Sequence, residues 1–204
     1  FKFQSNLIII FLFIAIYIIG FLDDLHFLSP FQRILFLSFI LLLIVFFDPF
    51  YIIAEIKIYN LIININLITF IFLTLFSFIA VLNAFNFLDG IDGISSLFFT
   101  SIFTLCLFLE YKIDYSVILL LVSNIIYLYF NIRKKSFFGD SGIYVLSSFL
   151  FFYLLKKYQF DNLSLTQIIL MLSYPGIDLA TVSIVRMLNK KRIYIGDRNH
   201  LHHL

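Results

Sequence analysis

The chain has no tryptophan, one cysteine and three prolines in 204 residues, and only 13% of its residues are charged. Each shortage excludes something. With Cys106 alone, no intrachain disulfide can form, and the redox compartment stays open. Lying mid-way along an apolar run, it reads as a small core residue. The formal net charge of +2 is too small for a nucleic-acid partner, and the basic residues are scattered over several loops. A charged fraction of about half that of a soluble domain leaves too little polar surface to cover a soluble fold.

What fills the space is apolar, at 62% of the residues. Seven apolar segments can be drawn: Leu7 to Leu22, Phe31 to Phe47, Leu61 to Phe85, Ile94 to Leu109, Tyr115 to Phe130, Ile143 to Leu155 and Leu163 to Leu188. Most approach the roughly 17 to 25 residues that cross a hydrocarbon core as a helix. Ile143 to Leu155 is short for a span, and Pro175-Gly176 should kink the last segment. The expected fold is an all-α, polytopic transmembrane bundle of about seven spanning segments. With no repeat and no linker, residues 1–204 are expected to form one integral-membrane domain. Phe1 at the start and a histidine-rich cluster at the end lead to the expectation of a fragment, with helices missing on both sides.

Alternating the segments across a bilayer sorts the loops into two sets. One set, residues 23–33, 83–96, 131–142 and 189–204 with Arg186, carries nine of the fourteen Lys and Arg residues. The positive-inside rule places it in the cytoplasm. Polar residues not used in that sorting follow it. Asp23, Asp24, Asn83, Asn86, Asp89, Asp92, Asp140, Asp197, His200, His202 and His203 all fall on the same side. Four loops therefore converge where a water-soluble reactant can meet one dissolved in lipid.

The first motif, Gly20-Phe21-Leu22-Asp23-Asp24, puts two carboxylates at the cytoplasmic end of a helix. The macrodipole disfavours acids there, so a compensating cation is expected. One carboxylate could take a proton from, or orient, a phosphate nucleophile. The second is Asn83-Ala84-Phe85-Asn86-Phe87-Leu88-Asp89-Gly90-Ile91-Asp92-Gly93, with a polar residue every third position on adjoining faces of a helical turn. A plain polar turn would explain its Asp-Gly pairs but not two asparagines in the apolar helix before them. Ser95 or Ser96 can cap the helix that follows.

The third motif, Phe138-Gly139-Asp140-Ser141-Gly142, precedes an apolar helix. Backbone N–H groups there could receive phosphate oxygens while the carboxylate holds Mg²⁺. The fourth, Asp197-Arg198-Asn199-His200-Leu201-His202-His203, gathers three of the four histidines for metal, proton or phosphate work. A zinc reading lacks a nearby cysteine. Asp178, inside the last helix and about 12 Å deeper than Arg186 by helical rise, reads as structural support neutralised by an arginine. His26 reads as an ordinary loop histidine.

In this order, the four motifs resemble the polyprenyl-phosphate N-acetylhexosamine-1-phosphate transferases, a superfamily that includes the phospho-MurNAc-pentapeptide translocase. The likeness runs from Gly20 to the last residue. The Asp-Arg-Asn-His-Leu-His-His ending looks closer to the GlcNAc-1-phosphate branch that opens O-antigen, common-antigen or teichoic-acid linkage synthesis. The resemblance implies attack by undecaprenyl (polyprenyl) phosphate on a UDP-N-acetylhexosamine, with UMP released, at the bacterial inner membrane. It implies Mg²⁺, with Mn²⁺ as an alternative, on Asp140 and Asn86. Asp23 and Asp24 would handle the lipid phosphate, and which of the pair is the base stays open. Asp89 and Asp92 would shape the nucleotide pocket, with Asn83, Arg198, His200, His202 and His203 on the substrate. A homodimer is a further expectation. Two positions depart from the family pattern: Ile143 stands where Ser or Thr is common, and Arg33 where lysine is frequent. Two other classes compete. A cation-coupled transporter would place its acids near the midplane, as only Asp178 does. A structural subunit would scatter polar residues over both faces.

Overall fold

The computed structural model describes residues 2–53, 55–58, 61–63, 66–90, 93–109, 115–160 and 162–188. Within them the chain forms eight α-helices: α1 (Lys2–Asp24), α2 (Pro30–Phe47), α3 (Leu67–Leu88), α4 (Ile94–Leu109), α5 (Tyr115–Ile132), α6 (Gly139–Gln159), α7 (Leu165–Met171) and α8 (Ser173–Leu188). Between α2 and α3 lie a 3-10 turn at Pro49–Tyr51 and a small antiparallel hairpin. Its strands are β1 (Ile56–Ile58) and β2 (Leu61–Ile63), with Lys57 opposite Ile62. The expected all-α membrane bundle is what forms.

Two segment boundaries differ from the sequence expectation, each for a local reason. The segment drawn from Leu61 starts as strand, because Ile62 and Ile63 are β-branched and suit a pleated pair. Helix α3 begins only where the Asn66 side chain accepts the Thr69 N–H at 2.9 Å. The last segment breaks at Leu172, not at Pro175-Gly176, and α7 and α8 meet at 62°. Pro175 then falls in the first turn of α8, where a missing N–H removes no intrahelical bond. Ser164 and Gln167 cap α7 reciprocally, as Ser29 and Gln32 cap α2.

By length and apolarity, α2, α3 and α5 can each cross a membrane, and the bent α7–α8 pair can act as a fourth span. With the further apolar helix α4, these spans make up the multi-pass helical bundle among the described residues. Helix α6, drawn from the sequence as a short stretch, has 21 residues and so is about 31 Å long.

Polarity is arranged inside out. Helix α6 packs against both α1 and α3 and buries residues around its circumference, among them Tyr144, Ser147 and Ser148. Helix α5 buries only Val117, Asn124 and Asn131 and turns Leu119, Ile126 and Ile132 outward. An apolar exterior around polar interior contacts is what a bilayer selects. Asn124 shows the interior side, donating to the Ser96 carbonyl and the Thr100 hydroxyl, both at 2.8 Å. These bonds hold α4 to α5 without exposing amide groups to lipid.

Candidate active site

The sequence places Gly20, Asp23 and Asp24 on one face of the end of α1, at i, i+3 and i+4. That face meets the start of α6. A Cβ on Gly20 would lie 2.4 Å from the Ser141 Cα, so only glycine permits the approach. Gly139 adopts φ +63°, and a Cβ there would sit 2.7 Å from an Asp24 carboxylate oxygen. The two glycines let α1 touch the first turn of α6.

Asp24 uses that contact to cap α6 from another helix. Its Oδ1 accepts the Asp140 N–H at 2.7 Å and its Oδ2 the Ser141 N–H at 3.2 Å. Phe138, at the N-cap position, makes no side-chain cap of its own. The carboxylate, unfavourable at the end of its own helix, is stabilised by the positive end of α6. The N–H groups expected to receive phosphate oxygens are therefore already satisfied.

Asp23 has the compensating cation. Its Oδ2 accepts from Arg33 Nη1 at 2.8 Å and from the Tyr144 hydroxyl at 2.9 Å. Arg33 continues to the Asn83 carboxamide oxygen at 3.4 Å, while Asn86 Nδ2 donates to the Tyr144 hydroxyl at 3.0 Å. The guanidinium lies 5.8 Å from the Tyr144 ring centroid. Four helices, α1, α2, α3 and α6, thus contribute to one polar network at one end of the bundle.

Asp140 stands ahead of the apolar stretch that begins at Ile143. Burial pushes its carboxyl up to about 7. Hydrogen bonding to Asp23 and repulsion from Asp23 and Asp24 act in the same direction, and Arg33 pulls back. Asp23 and Asp140 act on one guanidinium, and Asp24 beside them adds to an excess of negative charge.

The neighbouring loop is held by its own bonds. Asp89 ends α3 and accepts the Ser95 hydroxyl at 2.6 Å. Ser95 and Ser96 lie inside the first turn of α4 and bond Asp89 and Asn124, instead of capping the helix. Asn131 accepts the Gly93 N–H and donates to the Ser136 carbonyl, so it joins the loop before α4 to the loop after α5. Arg186, buried in the last turn of α8, lies over the Phe87 ring at 5.2 Å.

Of the sequence candidates, Asp23, Asp24, Asn83, Asn86 and Asp140 are brought together, and Asp89 lies one turn beyond Asn86. Asp92, Arg198, His200, His202 and His203 lie outside the described residues. Tyr144 is the member that sequence reasoning missed. Its spacing of four from Asp140 was the available signal, since that places both on one helix face. The departures also take their places: Ile143 is fully buried core, and Arg33 is the partner of Asp23.

Among the described residues, no group of three or more His, Cys, Asp or Glu side chains is placed to cage a metal ion. Oxygen donors with surplus negative charge still suit Mg²⁺, which commonly takes one or two carboxylates and completes its shell with water and substrate phosphates. Asp140 fits that mode.

The family model of glycosyl transferase family 4 matches residues 6–158, which include the whole polar network. No individual curated protein matches the chain. The match covers well over half of the sequence and ends on α6. The chain belongs to glycosyl transferase family 4 and is a multi-pass membrane phosphoglycosyl transferase, of the superfamily that transfers sugar-1-phosphate to polyprenyl phosphate.

Proposed function

We propose that the protein transfers N-acetylhexosamine-1-phosphate from a UDP-sugar to undecaprenyl phosphate, at the cytoplasmic face of a bacterial inner membrane, as the first membrane step of envelope glycan synthesis. An oxygen of the lipid phosphate attacks the sugar-proximal phosphorus. The bond to the UMP phosphate oxygen breaks, UMP leaves with its electron pair, and the sugar ends on a lipid pyrophosphate. Such a reaction asks the protein mainly for positioning and charge stabilisation.

The observation that carries this reading is the network joining Asp23, Asp24 and Asp140 with Arg33 at the meeting point of four helix ends. Asp140, with Asn86, would hold Mg²⁺, which when bound supplies positive charge against the diphosphate. Asp24 fixes the turn that carries Asp140. Asp23 and Arg33 form the face nearest α2 and receive the lipid phosphate, while Asp89, Asp92, Arg198 and the three histidines serve the nucleotide sugar.

The lipid has a matching surface. An apolar cavity of about 700 Å³ lies between α3, α6 and the α7–α8 bend, lined by residues that include Leu73, Phe151, Leu155, Ile168 and Ile177. It reaches Val81, two residues before Asn83. A prenyl tail there would bring its phosphate toward the network.

The test is UMP release by the protein in membranes, with undecaprenyl phosphate, a panel of UDP-N-acetylhexosamines and Mg²⁺ or chelator. Release with UDP-GlcNAc that chelator stops supports the proposal. Turnover only with UDP-MurNAc-pentapeptide moves the protein to the peptidoglycan branch, and no release with any donor overturns the reading.

A further inference from the structure

Tyr144 touches both sides of the network yet belongs to none of the polar motifs. Its hydroxyl donates to Asp23 Oδ2 at 2.9 Å and so must accept, not donate, in its 3.0 Å contact with Asn86 Nδ2. This direction fixes the Asn86 carboxamide. With its NH₂ committed to Tyr144, its oxygen faces the opposite way. Asp23 is fixed as well, because Arg33 and Tyr144 converge on the same oxygen and leave its plane little freedom. The ring itself is among the largest fully buried side chains, on a helix packed by both α1 and α3. The hydroxyl therefore cannot swing away to other partners.

We infer that Tyr144 is a positioning residue: its phenol ties the α1 carboxylate to the α3 carboxamide and sets the orientation of both for transfer. The inference rests on the proposed reaction, because Asp23 is read as the lipid-phosphate side and Asn86 as the sugar-diphosphate side. Arg33 connects Asp23 instead to Asn83, one turn earlier on α3. Losing the bridge leaves both substrates able to bind but less well aligned. The effect should fall on kcat and spare KM.

The test is Tyr144→Phe, which keeps the buried ring and deletes only the oxygen. In purified detergent-solubilised full chain, UDP-sugar binding stoichiometry counts competent sites, and UMP release is then measured per competent site. The expected result is about a tenfold fall in kcat per site, with KM for UDP-sugar and for undecaprenyl phosphate changed less than twofold. Adding Tyr144→Phe to Asn86→Ala should then cost clearly less than that tenfold, since the bridge is already broken and only the bond to Asp23 is left to lose. A fall explained wholly by fewer binding sites, or a full extra tenfold on top of Asn86→Ala, overturns the inference. Inactive parent protein with every donor counts against the proposed reaction itself, so the two failures are told apart.

Discussion

Helix α6 carries a doubly bonded tyrosine at each end, Tyr144 and Tyr158, about 21 Å apart by helical rise. Tyr158 accepts the Lys57 N–H at 2.7 Å and donates to the Glu55 carbonyl at 3.0 Å, so it ties down the backbone at the hairpin. Tyr144 bonds only side chains, Asp23 and Asn86. One end is a splint and the other a set of groups with chemistry. The ion pairs differ in the same way. Arg33 and Asp23 are shielded, with side chains 17% and 10% exposed, whereas Lys57 and Glu55 pair at 30% and 39%. A charge kept in a shielded network needs every partner, and a surface pair needs none.

The largest contrast expected between the ends is catalytic. Asp140→Ala should lower UMP release by about 10³-fold without lowering the melting temperature, because the turn is capped through backbone N–H groups that alanine keeps. Glu55→Ala, on the surface pair at the far end, should change turnover less than twofold. Equal losses from both variants would erase the distinction between the ends.

Next comes stability. Arg33→Ala leaves the Asp23 carboxylate shielded and without its cation, at a cost of about 3 kcal/mol in thermal unfolding. Arg33→Lys should recover only part of it, since one ammonium cannot span from Asp23 to Asn83 as the guanidinium does. Full recovery by lysine would mean that the bond to Asn83 contributes nothing.

A smaller effect, on the order of 2 kcal/mol, is expected from pH, because water still reaches the half-buried Asp140. Its carboxyl is raised from 3.8 to about 7 in the folded protein, which therefore holds a proton that the unfolded chain has released. In chelator-treated protein the stability is then fully present below about pH 4 and is lost as pH rises toward about 7. Asp140→Asn should flatten that slope. A melting temperature that rises over the same window would reverse the sign of the burial argument.

How much of this could be read beforehand differs between the ends as well. The site end was legible because its carboxylates and asparagines interrupt apolar runs, and four loops sorted to one side by charge alone. Its cation was expected from the cost of two acids at a helix end, yet that Arg33 supplies it depends on how α2 returns beside α1, which no local pattern encodes. Tyr144 was hidden because an aromatic residue in an apolar helix looks like core until its hydroxyl finds a partner. At the far end, the run from Leu61 read as helix because hydrophobicity without period cannot separate a strand from a buried helix. The break at Leu172 was hidden for a related reason: proline marks where a helix can start as well as where one bends.

The smallest effect is the one that separates the two tyrosines. Tyr158→Phe removes an acceptor for the Lys57 N–H and a donor to the Glu55 carbonyl, groups near enough to the surface for water to replace part of the loss. About 1 kcal/mol in unfolding is expected, with kcat unchanged. Tyr144→Phe should do the opposite, costing turnover more than stability. Paired melting and turnover measurements on the two variants therefore decide whether the ends of α6 differ in kind. If Tyr158→Phe also lowers kcat per competent site, the hairpin end couples to the reaction through α6, and the helix is a lever between its ends instead of a fixed axis.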